Sequence, residues 1–572
     1  IRPALLDVLR TCPFVPNYFK RVRHIFKSAE YRHDAEVYGL IAYRFEKEWA
    51  MFRNSYYALN AEPRWSFLSL GLNNYIEKAD KEIKKSDSKI AYGSRTRAFF
   101  RRRVWRTLRR LGELGDTEYV RMAVGVLLPY TDADAQPPKE STFHSWQTGQ
   151  SKTVRWDAYA GYVPFNHILY TNSPRYTLKP PTTAWRCRVS YKPGDPLPES
   201  REEAFPEMWE RVPVGLLHLI SESNCLPVHE FAVKALRSCQ EFCAELDTEA
   251  IIMILSRPYD VTARLGFELA AQRYNPSSPD RALVLAVLNC VDVEARTAAL
   301  NWVDERRDYF LRDGDFLVSL ITSVHADVRL FARNLLFTAV MSDGDARLLI
   351  GRLISYLLSL GTDQSERARD ISDTLLRAFG VHLRGLGFHI VLDLLNHPMV
   401  EVQELGGQIL LNYEISAREL PDELYERLIN SPFEQIRAIG IKLLGQLPDA
   451  ELLARENALV SLITHELSDV RNAISPIIRG LRERGANLEF PRRLAALLIG
   501  VLLVPEAHQG VHASLVRLLE DDLGNEWVSE VGKEIALRLI QSQSIPAQEL
   551  GGKIIAAKVT ADKQWAYQFE TD

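Results

Sequence analysis

At 572 residues the chain is longer than a single hydrophobic core can serve, so it must divide into domains or extend as a repeat array. Hydrophobic residues at 46% and charged residues at 25% exclude a disordered or fibrous chain, and no apolar run reaches the roughly 18 to 20 residues that span a bilayer. The net charge of −4 conceals an asymmetry, since residues 1–110 hold 24 Lys and Arg against 11 Asp and Glu, leaving residues 111–572 at −17. A basic end concentrates phosphates or an acidic partner, while an acidic remainder repels nucleic acid.

The opening IRPALLDVLR has no initiator Met and lacks the order of a secretory leader, so a fragment of a longer chain is expected. Residues 1–130 read as a basic, helical N-terminal region. Within it, 34–48 (DAEVYGLIAYRFEKE) begins on an Asp suited to cap a helix. In 97–112 (RAFFRRRVWRTLRRLG), Phe100, Val104, Leu108 and Leu111 share one face, Arg102, Arg106 and Arg109 form a stripe, and Gly112 is the expected stop. Such a helix offers Arg101, Arg102, Arg103, Arg106, Arg109 and Arg110 to phosphates or to an acidic partner, with Trp105 placed to stack on a base. The competing reading, and the favoured one, is that the arginines brace acidic neighbouring repeats. The Lys-rich run 78–89 reads as a solvated loop.

Residues 131–208 break the helical texture with Pro, Thr, Tyr and Trp, and any strand is expected here. A long irregular connection is functional or disordered, and its aromatics argue for order. Trp146, Trp156 and Trp185 are therefore the candidates for a partner-binding insertion.

From 209 to 482 one segment recurs, an apolar residue followed by a polar one and then a helical run: Val328-Arg329, Ile436-Arg437 and Val470-Arg471 are the clearest copies. Weaker copies place polar markers at His229, Arg264, Arg296, Arg369 and Gln403. The markers stand about 32 to 40 residues apart, mostly 33 or 34, and apolar-periodic segments precede many of them, so each repeat reads as helix, turn, helix. The period resembles HEAT repeats, which implies an all-α chain: an armadillo-like α-solenoid of HEAT-like helical pairs with one irregular insertion. Residues 483–572 are expected to hold degenerate terminal repeats, with Val511-His512 and Val531-Gly532 as candidates, and a tail. The marker arginines Arg264, Arg296, Arg329, Arg369, Arg437 and Arg471 either line a binding surface or hold the stack. The second reading is preferred, because a fixed repeat position meets the same structural task in every copy.

The segments FFRRRVWRTLRRLGELGDTEYVRMAVGVLLPY (99–130), FNHILYTNSPRY (165–176) and FPEMWERVPVGLLHLISESNCLPVHEFAVKAL (205–236) resemble bacterial proteins that join a WGR domain to HEAT-like repeats, the MolR-like group. That resemblance implies a repeat fold and no particular reaction. No WGR tripeptide occurs in the chain, so a nucleic-acid role belonging to that domain is not implied.

Motifs that carry chemistry are missing: no Walker A loop, no HExxH and no GxSxG elbow. Cys225, His229, Cys239 and Cys243 are zinc-type ligands, but on a single helix over 227–245 His229 and Cys239 stand about 15 Å apart, too far to share an ion. Six scattered cysteines favour a reducing compartment, taken as the cytoplasm. The expectation is a non-catalytic scaffold for one or more proteins, without cofactor, metal or membrane. The alternative is a nucleic-acid-binding solenoid using the basic end. A third class, a HEAT-like DNA-repair enzyme, would need an acid beside aromatics on a concave surface, which sequence alone does not place.

Overall fold

Helix signals in the sequence become helices in the computed structural model, which describes residues 2–50, 92–144, 146–147, 149–178, 184–485 and 489–561. The Lys-rich run 78–89 lies outside the described residues. The chain forms two compact units, Ile1–Arg306 and Arg307–Asp572. Among the described residues no helix is long and apolar enough to cross a membrane.

The first unit begins with the helices Arg2–Thr11, Pro16–Arg32, Ala35–Lys47, Ser94–Glu113 and Glu118–Leu127. Asp34 caps the third of these, accepting from Val37 N at 3.3 Å, and also accepts two bonds from Arg2 at 2.7 and 3.0 Å. The Ala35–Lys47 and Glu118–Leu127 helices cross backbone to backbone: a Cβ on Gly39 would stand 1.7 Å from the Gly125 carbonyl oxygen. Only glycine permits that approach. Rings of Phe14, Phe19, Phe26, Phe45, Tyr92 and Phe100 fill the core around them.

Phe100, Val104, Leu108 and Leu111 are buried and Arg102, Arg106 and Arg109 exposed, as the spacing predicts. The predicted stop is displaced. Gly112 is helical and packs against the Phe205 ring, where a Cβ would stand 2.4 Å away, and the left-handed turn falls at Gly115 with φ 68°. Gly112 is a packing glycine.

All the named strands among the described residues fall in the 131–208 region. β1 (Lys139–His144) pairs antiparallel with β2 (Ser151–Trp156), and β3 (Tyr176–Leu178) with β4 (Trp185–Cys187). Between the two hairpins a buried helix, Val163–Tyr170, sets Phe165 and Ile168 into the core.

Helical pairs follow in both units. In the first they include Val214–Glu222 with Leu226–Arg237, Thr248–Leu255 with Asp260–Arg273, and Arg281–Leu288 with Val293–Glu305. In the second they run from Gly314–Ile321 with Ala326–Phe337 to Lys533–Ile540 with Ile545–Ala561. The architecture is all-α, HEAT-like pairs with one partly β insertion. The 40-residue interval between Arg329 and Arg369 has a visible cause: the first helix of that pair, Asp343–Ser359, is 17 residues long, where Gly314–Ile321 has eight.

Six of the eight markers do one job. The side chain at the marker donates to the carbonyl six residues earlier, at the turn before its own helix. Arg296 reaches Cys290 O (2.9 Å), Arg329 Ser323 O (3.0 Å), Gln403 His397 O (2.7 Å), Arg437 Ser431 O (2.8 Å) and Arg471 His465 O (2.6 Å). His229 does the same with Nε2 to Ser223 O at 3.0 Å. Gln548, unmarked in the sequence reading, repeats it on Ser542 O at 2.7 Å, so the marker of the last pair is Gln548, whereas Val531-Gly532 only precedes that pair's first helix. These bonds satisfy carbonyls that the turn would otherwise leave unpaired. Two of these markers also bridge to the next pair, Arg329 to Asp370 and Arg437 to Asp469, both at 2.7 Å.

Arg264 and Arg369 both stand one residue beyond the marker register, whose place, the fourth residue of the helix, is taken by Ala263 and Ala368. Ala263 and Ala368 are buried, while the Arg264 and Arg369 side chains are 58% and 68% exposed and pair with Asp292 and Glu401 at 2.8 and 3.2 Å. Alanine cannot reach a carbonyl, and the neighbouring arginine supplied a misleading polar signal.

Candidate functional site

The basic helix divides by exposure. Arg101 is buried and binds Glu46 at 2.6 Å, with a second bond to the Gly161 carbonyl. Arg103 holds Glu30 at 2.8 Å. Trp105 is buried, stacked on His167 at 4.6 Å with the rings 1° from parallel. The same burial, with Arg109 near, depresses the His167 pKa to about 4, so the stack is one of neutral rings. Arg101 and Trp105 are therefore internal and Arg103 is half-buried in its ion pair, and Trp105 offers no face for a base. The exposed set is Arg102, Arg106, Arg109 and Arg110. Arg106 lies over the Phe99 ring at 5.3 Å and Arg109 pairs with Glu113 of its own helix at 3.1 Å. Among the described residues, the ion pairs to other helices run from Arg101 and Arg103 to N-terminal helices, and none runs from the stripe to the repeats.

The three insertion tryptophans have three different environments. Trp185 is buried, edge-on to His167 at 5.2 Å. Trp156 is half-buried under the Arg186 guanidinium at 5.8 Å. Trp146, between β1 and β2, is 92% exposed and touches the His144 ring.

The zinc-type residues use their polar atoms on the protein. The 227–245 stretch is two helices, Leu226–Arg237 and Gln240–Glu245, with Cys239 between them. Cys239 and Cys243 donate to Ala235 O and Leu236 O, and burial raises both thiols. His229 has both ring nitrogens engaged, Nε2 with Ser223 O and Nδ1 with the Thr262 hydroxyl at 2.9 Å. Desolvation lowers its pKa to about 4, which fixes a neutral ring that donates through Nε2 and accepts at Nδ1.

A cleft of about 620 Å³ in the first unit has no counterpart in the sequence reading. The insertion and the first two helical pairs build it. Tyr159, Tyr170, Tyr176, Tyr191 and Tyr259 supply its aromatic wall, with Trp185, and Pro196, Leu197 and Pro227 its apolar rim. Asp157 accepts from the Tyr176 hydroxyl, and Asp132 from the Tyr259 hydroxyl (2.8 Å) and from Leu226 N (2.7 Å), which ties the insertion to the pairs. Burial pushes the Tyr176 and Tyr259 hydroxyls above their usual range, so both are proton donors at neutral pH. Cys225, behind this wall, is pushed up to about 12 by burial and is an inert thiol. The clustering of tyrosines between 159 and 191 was the one sequence signal for the cleft. Glu230 and Tyr259 reach it only through the fold.

No protein-family model and no curated protein sequence matches the chain. Among solved structures it is similar to the karyopherin Kap121p bound to the extreme C-terminus of the protein phosphatase Cdc14p (14% identity, 62% of this chain and 47% of that one, TM-score 0.28). It is also similar to importin beta crystallised in a polyethylene glycol condition (11% identity, 96% and 64%, TM-score 0.30), and to Kap121p bound to Pho4p (13% identity, 98% and 55%, TM-score 0.30). The chain thus spans between 47% and 64% of the length of these three chains.

Proposed function

We propose that this protein is a non-catalytic HEAT-repeat scaffold that binds one or more protein partners in a larger assembly. The observation that carries the reading is how polar and apolar groups are divided. Most marker side chains are spent closing their own turns, while large apolar groups stand outside: Leu330 and Phe337, seven residues apart on one face of the Ala326–Phe337 helix, and Trp146 on the insertion. Six free thiols favour a reducing compartment, the cytoplasm. The motif segments in 99–236 support placing the chain beside the bacterial WGR–HEAT (MolR-like) group.

The second reading, nucleic-acid binding, is favoured by the four exposed arginines of the Ser94–Glu113 helix. The cleft sets acids beside aromatics, the composition a DNA-repair enzyme would need, yet four carboxylates there face a single guanidinium, a charge that repels a polyanion. Capture of partners from host extract with and without nuclease tests the choice. Capture that survives nuclease and is lost in Leu330→Asp/Phe337→Asp or Trp146→Ala supports the scaffold. Nuclease-sensitive capture lost in Arg102→Gln/Arg106→Gln/Arg109→Gln supports the second reading instead.

A further inference from the structure

The cleft of the first unit is negative, and its charges are unevenly used. Asp132, Asp157, Asp195 and Glu230 line it against Arg175. Arg175 is already neutralised, donating to Glu202 at 2.9 and 2.8 Å, and its guanidinium lies 5.3, 4.9 and 5.4 Å from the ring centres of Tyr170, Tyr176 and Tyr191. This wall therefore already holds one organic cation by ring faces and carboxylate together. Three of the acids have structural duties, Asp132 and Asp157 with tyrosine hydroxyls and Asp195 with Lys192 N at 2.7 Å. Glu230 has none: it accepts no hydrogen bond and makes no ion pair with the described residues. Burial raises its pKa, against the opposing charges of Arg175 and Lys234 nearby.

We propose that this cleft docks a lysine or arginine side chain carried on an extended segment of a partner polypeptide, with the cation set against Glu230 and the tyrosine rings. A polypeptide is favoured over a free polyamine because residues flanking the cation bring apolar groups for the Pro196, Leu197 and Pro227 rim. The volume falls in the roughly 300–1,000 Å³ range of ligand pockets and leaves space for flanking backbone. The inference takes from the scaffold reading only that the cation arrives on a protein.

The test is calorimetric titration of the whole chain at low salt with acetyl-Ala-Ala-Lys-Ala-Ala-amide, its Arg and Gln counterparts, and spermidine. The cationic peptides are expected to bind at least about tenfold more tightly than the Gln peptide, and more tightly than spermidine. Glu230→Gln should weaken the cationic peptides about tenfold and leave the Gln peptide unchanged, while the exposed control Glu249→Gln changes nothing. Equal binding of the Gln peptide, unchanged affinity in Glu230→Gln, or binding of spermidine but of neither cationic peptide would overturn the proposal. If the peptides fail while Glu230→Gln still captures partners from extract, the cleft assignment falls and the scaffold reading stands.

Discussion

His229 shows what a repeat position asks of a side chain. Its task, a donor six residues back, is done by Gln403 and Gln548 elsewhere, so His229→Gln should keep the bond to Ser223 O and lose the contacts with the Thr262 hydroxyl and the Tyr259 ring. It should also remove a pH dependence. The folded imidazole has its pKa lowered from 6.5 to about 4, so between those values the unfolded chain takes up a proton that the folded chain refuses. Stability at this site is therefore full above pH 6.5 and lost as pH falls toward 4, with about 3 kcal/mol as the upper bound. Urea titrations at several pH values should show that slope in the parent and a flatter one in the variant. Glu230 works in the opposite sense. Its folded pKa is raised, so stability is full below the unfolded value of 4.5 and declines as pH rises through the folded one. Glu230→Gln should therefore melt no lower than the parent at pH 7, and higher if no cation is bound. At this scale the sequence was legible where a residue acts on its own helix, as with Asp34, and misleading where the answer lay across the fold. Nothing local marks Trp105 as the partner of His167, or Gly112 as the floor under Phe205.

Among elements, the Ser94–Glu113 helix separates structural from available charge. Arg101→Gln would leave Glu46 buried without its cation, a loss of about 3–5 kcal/mol. Replacing both members by Met and Leu should recover much of that, since the pair itself is costly to desolvate. The triple change Arg102→Gln/Arg106→Gln/Arg109→Gln touches one exposed intrahelical pair and should alter stability by no more than about 0.5 kcal/mol. Chemical denaturation of the three proteins distinguishes these cases. A marked loss in the triple variant would mean the stripe braces the fold. Helical periodicity revealed which face of this helix is buried, because Phe100, Val104, Leu108 and Leu111 record it directly. It could not reveal that Arg101, one step off the apolar face, is swallowed by Glu46 from a helix 55 residues earlier.

Across the whole molecule the recurring pattern placed most pairs, because each buried anchor sits beside its marker. Val328, Ile436 and Val470 are 0%, 2% and 0% exposed, and Asp at any of them would bury an unpaired charge. Each variant should lose several kcal/mol. Hydrogen exchange should show protection failing first in the altered pair and its immediate neighbours, as nearest-neighbour stability requires. Uniform loss throughout the chain would contradict that. The cleft stayed invisible at this scale, since it needs the insertion, Glu230 and Tyr259 together, and no period connects them.

The bond from each marker to the carbonyl six residues before it has a genetic consequence. Because donor and acceptor lie in the same short stretch of chain, a stretch of 34 residues such as that between Gln403 and Arg437 can be duplicated or excised with every turn closure intact. Changes of length elsewhere in the repeat leave the bond intact as well: it recurs at Arg296 and Arg329, 33 residues apart, and at Gln403 and Arg437, 34 apart. The closing position is thus a fixed point around which the length of a repeat is free to vary, with His, Gln and Arg interchangeable there.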